Sequence, residues 1–92
     1  MRTILLDYDG TYTEFPELMN IIINNQVNFN YKVILATMRY EQEADDGLKY
    51  IATRIPVYYT NRQAKLPFLK DNYNIIPDLV IDDKPKWLFS DG

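Results

Sequence analysis

Thr3-Ile4-Leu5-Leu6-Asp7-Tyr8-Asp9-Gly10-Thr11 is the stretch on which the reading of the fold turns. Its first four residues form a short apolar run of the kind that makes a buried strand. Asp and Gly then supply the tight dihedrals of a turn, and Gly10 is free to take φ > 0. Three similar runs follow. Lys32-Val33-Ile34-Leu35-Ala36 closes at Thr37, Val57-Tyr58-Tyr59 follows Pro56, and Asp78-Leu79-Val80-Ile81 ends at Asp82-Asp83. Trp87-Leu88-Phe89 is expected to add a short fifth strand.

Helical signals fill the intervals. Pro16 suits a first helical turn, and Leu18, Ile21, Ile22 together with Met19, Ile23, Val27 recur at helical spacing until Asn28–Asn30 end the segment. From about Glu41, residues Ala44, Leu48, Ile51, Ala52 and Ile55 line one face of a second helix, with acids in its first turns. Gly47 weakens that helix by roughly 1 kcal/mol relative to Ala. Pro67 predicts a third helix running through Phe68 and Leu69 toward Tyr73, with Lys65 just before it. This alternation predicts an α/β fold of three layers, Rossmann-like, around a mostly parallel sheet of four to five strands.

With 92 residues and no linker, repeat or low-complexity tract, the chain is expected to be one domain over 1–92. Hydrophobic residues at 47% and charged residues at 25% match an ordinary globular chain, which argues against disorder. No apolar run is long enough to span a bilayer and no basic-then-apolar leader opens the sequence, so a cytoplasmic location without a membrane partner is expected. The abundance of Asn, Ile and Tyr fits AT-rich coding, such as that of many phages acting in a host cytoplasm. Ten basic against thirteen acidic residues leave a net charge of −3, so a broad basic footprint for nucleic acid is absent. Without Cys or His, the chain has no disulfides, thiolates, imidazole bases or usual zinc sites. Its chemistry must run on carboxylates, Lys, hydroxyls and a hard cation.

In open parallel sheets, ligands bind outside the carboxyl ends of the strands. Here those ends carry Asp7 with Asp9, then Thr37, then Asp82 and Asp83, while Lys65 opens the helix after the third strand. Carboxylates gathered a few ångströms apart repel strongly, and a divalent cation removes that cost. Mg²⁺ suits such oxygen ligands, while an amine and a hydroxyl suit a phosphate group. The pattern points to Mg²⁺-assisted phosphoryl chemistry with a carboxylate nucleophile.

Asp7-Tyr8-Asp9-Gly10-Thr11, then Leu35-Ala36-Thr37, Lys65 and Val80-Ile81-Asp82-Asp83, resembles the four ordered motifs of the haloacid dehalogenase superfamily of phosphohydrolases. The resemblance covers residues 3 to 83. It implies that Asp7 attacks phosphorus and forms an aspartyl-phosphate, and that Asp9 serves as acid and then base. It implies that Thr37 hydrogen-bonds a phosphoryl oxygen and that Lys65 counters the charge on Asp7 and the phosphoryl group. Mg²⁺ would sit on Asp7, Asp82 and the Asp9 backbone carbonyl, with Asp83 nearby, and Thr11 and Gly10 would shape the first loop around the substrate. Arg39 stands two residues past Thr37, where some phosphatases of this kind use an Arg on the substrate; a surface pair with Glu41 or Glu43 is the alternative.

Each motif also has a plainer reading. Asp and Gly are ordinary turn residues, Thr37 could cap a helix, Lys65 could be solvated, and Asp82-Asp83 could simply end a strand. Tyr8, Tyr12, Phe15 and Tyr40 could line the mouth of the site, or pack in the core or at its rim. Trp87 beside Lys84 and Lys86 invites base stacking, but a strand anchored by Trp is the plainer account. Receiver domains of two-component systems also gather acids, a Thr and a Lys at a sheet edge. They carry the paired acids first and the Lys late, the reverse of the order here.

Most members of the superfamily insert a cap domain. Between Thr11 and Lys32 there is room for a flap and one helix, and between Thr37 and Lys65 for one helix and one strand. The resemblance therefore implies a capless, minimal member, and only nine residues follow Asp83 where larger relatives continue. The expected function is a Mg²⁺-dependent phosphomonoesterase acting on a phosphorylated small molecule or nucleotide, including a nucleic-acid terminal phosphate. A second copy of the chain is a natural lid for its open site. The alternatives are a non-catalytic module holding a phosphorylated ligand or protein partner, and a phosphotransferase.

Overall fold

A computed structural model describes all residues, 1–92. Strand β1, Arg2–Leu6, lies near the middle of a four-stranded sheet. It pairs in parallel with β2, Tyr31–Thr37, and with β4, Leu79–Ile81; β2 pairs in parallel with β3, Val57–Tyr59. The spatial order is β3-β2-β1-β4. Every strand runs the same way, so all four carboxyl ends share one edge.

Alternation along the strands divides the apolar side chains between two faces. Leu6, Val33 and Leu35 pack with Met19 and Ile23 of helix α1 (Pro16–Asn24) and with Leu48 and Ile51 of helix α3 (Asp46–Ala52). Leu5, Ile34 and Ala36 pack on the other face with Leu69 of helix α4 (Lys65–Tyr73) and with Leu88. The result is a three-layer α/β architecture consistent with a Rossmann-like fold. No helix is long and apolar enough to cross a membrane.

Four local expectations are corrected. The first helical segment breaks at Asn25 into α1 and a single short turn, α2 (Gln26–Phe29), which ends at left-handed Asn30. Val27 consequently points to solvent, 92% exposed, instead of continuing the buried face. The segment from Glu41 is also divided. A 3₁₀ turn over Glu41–Glu43 gives way to extended Ala44. Asp45 then caps α3 by accepting the Leu48 N–H at 2.9 Å, and Ile55 reaches the core from beyond the helix end.

Helix α4 begins at Lys65, two residues before Pro67. Proline is tolerated there because N–H groups in the first turn have no intrahelical acceptor. The fifth strand does not form. Pro85–Leu88 is a 3₁₀ turn, because Pro85 cannot donate to a ladder and its fixed φ favours a helical start.

Candidate active site

The order β3-β2-β1-β4 places a topological switch point between β1 and β4, where chain direction across the sheet reverses. Asp7 follows β1 and Asp82-Asp83 follow β4, so the acids flank that crevice. The Asp7 N–H donates to the Ile81 carbonyl at 3.0 Å, extending the β1–β4 pairing up to the site.

Lys65 enters between the two chain segments. Its Nζ lies 2.6 Å from Asp7 Oδ1 and 2.7 Å from Asp82 Oδ2. All three side chains are buried: Lys65 is 4% exposed, Asp7 8% and Asp82 2%. The Thr11 hydroxyl donates to Asp7 Oδ2 at 3.2 Å and accepts the Asp83 N–H at 3.2 Å. Asp82 Oδ1 accepts the Lys84 N–H at 2.9 Å. Asp91 reaches back to accept the Ala64 N–H at 2.7 Å, immediately ahead of Lys65. Thus Thr11 steadies the first loop, and Lys65 is a buried ion-pair partner instead of a solvated Lys.

Carboxylate oxygens of Asp7, Asp82 and Asp83 lie within 4.8 Å of one another. Burial pushes the Asp7 carboxyl up from its ordinary 3.8 to about 7, although Lys65 pulls in the opposite direction. One ammonium therefore does not fully compensate the buried negative charge. Three clustered hard oxygen donors with uncompensated negative charge could hold a divalent cation. Gly10 makes this loop feasible. Its φ is +82°, and a Cβ there would run into the Asp83 carboxylate.

Asp9 behaves differently. Its carboxylate is 56% exposed and receives a fork from Arg39, NH2 to Oδ1 at 2.7 Å and Nε to Oδ2 at 3.0 Å. The same guanidinium donates to the Glu43 carbonyl at 2.9 Å and sits 3.5 Å from Asp45 Oδ2. Its Cζ lies over the Tyr8 ring, 5.3 Å from the centroid. Arg39 therefore meets Glu43 through its backbone, and its principal ionic partner is the acid two residues beyond Asp7. The Asp9 carboxylate is thus engaged by Arg39 and is not among the three that come together at Asp7, Asp82 and Asp83.

The Tyr8 hydroxyl donates to Asp45 Oδ1 at 2.7 Å, which ties the first loop to the cap of α3. Burial and the Asp45 contact push the Tyr8 phenol well above its ordinary range, so it remains protonated. A Cβ at Gly47 would collide with that hydroxyl. Gly47→Ala is expected to cost about 1–3 kcal/mol net, because displacing the hydroxyl from Asp45 outweighs the roughly 1 kcal/mol that Ala gains over Gly in helix propensity. Tyr8→Phe in the same chain should recover part of the loss, and chemical denaturation of both variants measures it. Equal stability of wild type and Gly47→Ala would contradict the steric account.

These groups surround a pocket of about 290 Å³. Asp7, Asp9, Gly10, Thr37, Arg39, Lys65 and Asp83 line it, while Asp82 does not and reaches it only through its pair with Lys65. Thr37 is buried at the end of β2, its hydroxyl 3.4 Å from the Arg39 N–H. Sequence reasoning missed Arg62 and left Lys84 without a role, although both line the pocket, and it read Trp87 as part of a strand. Asn61 and Arg62 both adopt left-handed backbone, φ 54° and 66°, held by the Arg62 N–H donating to Met38 O at 2.8 Å. The polar Thr60-Asn61-Arg62-Gln63 tetrapeptide after β3 was the available signal of a tight turn. Tyr8, Tyr12, Phe15 and Tyr40 do not line the pocket; Tyr8 and Tyr12 belong to the core. In comparisons with known proteins, no family model, no curated protein and no solved structure matches the chain.

Proposed function

We propose that this protein is a Mg²⁺-dependent phosphomonoester hydrolase of the haloacid dehalogenase type, working through an aspartyl-phosphate on Asp7. The observation that carries the reading is the buried Lys65 bridge between Asp7 and Asp82 at a pocket that Thr37 also lines. An ionised carboxylate held at a strand tip, with a cation on one oxygen and a hydroxyl on the other, is oriented for attack.

In the first step an Asp7 oxygen bonds to phosphorus and the ester P–O bond breaks. The leaving alkoxide takes a proton from Asp9. Water then attacks the aspartyl-phosphate, Asp9 accepts its proton, and phosphate leaves with Asp7 restored. Lys65 and the Thr37 hydroxyl offset charge on the phosphoryl oxygens. Asp7, Asp82 and Asp83, with the Asp9 carbonyl, would hold Mg²⁺, which supplies Lewis-acid charge to a bound phosphate. The substrates favoured are nucleotides or nucleic-acid terminal phosphates, because a guanidinium at the rim suits phosphate.

A second reading is a non-catalytic module that holds a phosphorylated ligand or protein partner. The Arg39 fork favours it, since both Asp9 oxygens are occupied by a cation. The exposure of Asp9 weighs the other way, because solvent-screened pairs exchange partners cheaply. A hydrolysis assay across nucleotides, sugar phosphates and phosphopeptides, with Mg²⁺ and with EDTA, separates the two readings. Phosphate release with Mg²⁺ alone is expected. Binding without turnover of any ester would leave the module reading, and a chromatographic mass would report whether a second copy covers the mouth.

A further inference from the structure

Trp87 is the chain's only tryptophan, and it belongs to neither of the two cores. Its neighbour Leu88 turns inward to pack with Leu69, whereas Trp87 joins the wall of the pocket that contains Asp7 and Lys65. Apart from Met38 it is the pocket's sole apolar wall. Large aromatic side chains normally enter the core or find a partner, so an indole set in a charged pocket calls for a ligand with a planar face. Lys86 Nζ sits over the ring, 4.3 Å from its centroid.

The surrounding charge narrows the class. Lys84 lines the same pocket and takes part in none of the chain's ion pairs. Arg62 also lines it and keeps its positive charge at the rim, with one terminal nitrogen on the Glu43 carboxylate and the other on the Met38 carbonyl, both at 2.9 Å. A sugar phosphate offers no aromatic ring to stack on Trp87, and the ring of a phosphotyrosine brings no further anion to Lys84 and Arg62. A nucleotide carrying a second phosphate supplies both.

We infer that Trp87, Lys84 and Arg62 form a subsite for the nucleobase and a second phosphate of a nucleotide whose terminal phosphate is directed to Asp7. The inference rests on the proposed hydrolase reading for the orientation of the ligand, but not for its binding. The same chemistry is presented by a free nucleoside bisphosphate and by a phosphorylated oligonucleotide end.

The single tryptophan makes the test direct. In Asp7→Asn protein with Mg²⁺, adenosine 3′,5′-bisphosphate should quench the Trp87 fluorescence saturably, while inorganic phosphate and glycerol phosphate should not. By calorimetry, Trp87→Ala should lower the ratio of nucleotide to glycerol-phosphate affinity by about 10-fold, the scale of one base–aromatic stack, and Trp87→Phe should keep most of it. Lys84→Gln should narrow the preference for the bisphosphate over the monophosphate. Tighter binding of a phosphorylated dinucleotide than of the bisphosphate assigns the site to strand ends, and the reverse to free nucleotides. Absent quenching, an unchanged affinity ratio in Trp87→Ala, or equal quenching by phosphotyrosine would overturn the subsite and reduce Lys86–Trp87 to a surface pair. Hydrolysis without quenching sinks this inference alone, whereas quenching without hydrolysis by the wild type sinks only the catalytic reading.

Discussion

Asp7→Asn is expected to lower phosphate release by about 10⁴-fold or more while making the metal-free protein more stable at pH 8. The two effects have one origin. The carboxylate that would attack phosphorus is buried at the tip of β1, and burial pushes it from 3.8 up to about 7. Below about pH 4 the folded and unfolded chains both hold this proton, and Asp7 adds no pH dependence. Between about 4 and 7 the unfolded chain releases the proton and the folded chain retains it, so stability falls as pH rises through that window. Above it, the folded state carries the buried charge and the loss is complete. Asparagine cannot ionise, and Lys65 retains Asp82 as a partner at 2.7 Å. Denaturation of both proteins at pH 5 and pH 8, with EDTA present, should show curves that diverge toward pH 8. Parallel curves would refute the burial account, and residual hydrolysis near the wild-type rate would remove the covalent mechanism.

The second large effect is expected at Lys65. Lys65→Met keeps most of the apolar stem but leaves Asp7 and Asp82 facing each other without the ammonium that lies within 2.7 Å of both. Removing one partner of a buried ionic cluster costs about 3–5 kcal/mol. Domains of this size have a total stability on the order of 5–15 kcal/mol, and each kcal/mol moves the melting temperature by about 4–8 °C. The variant should therefore melt tens of degrees lower at pH 8, and less so at pH 5, where Asp7 can take up a proton. Added Mg²⁺ should restore part of the loss, as should Asp7→Asn in the same chain. A Lys65→Met melting temperature equal to that of the wild type, with no response to Mg²⁺, would show that the bridge contributes nothing.

Much of this arrangement was legible in the sequence, for identifiable reasons. Asp7, Thr37 and Asp82-Asp83 each follow an apolar run, and alternation with helices forces those runs into one direction. Strand-end residues of a parallel sheet then have only one edge to occupy. Lys65 was legible as the opening of α4, although the helix begins ahead of Pro67. Contacts between side chains were not legible. Nothing local pairs Arg39 with Asp9 thirty positions earlier, because the fork joins the segment after β1 to the segment after β2. Gly47 read as a weak point in a helix, whereas its missing Cβ leaves room for the Tyr8 hydroxyl. Trp87-Leu88-Phe89 is too short to show a period, so Pro85 decided its conformation.

The two kinds of ion pair in the pocket respond differently to ionic strength. The Debye length shrinks from about 10 Å at 0.1 M salt to about 3 Å at 1 M, which weakens charges that water can reach. Arg39 and Asp9 stand at that boundary, whereas Lys65, Asp7 and Asp82 lie beneath it. Concentrated salt would therefore loosen the rim while the floor keeps its geometry, so electrolyte acts on admission to the pocket separately from the groups at its base.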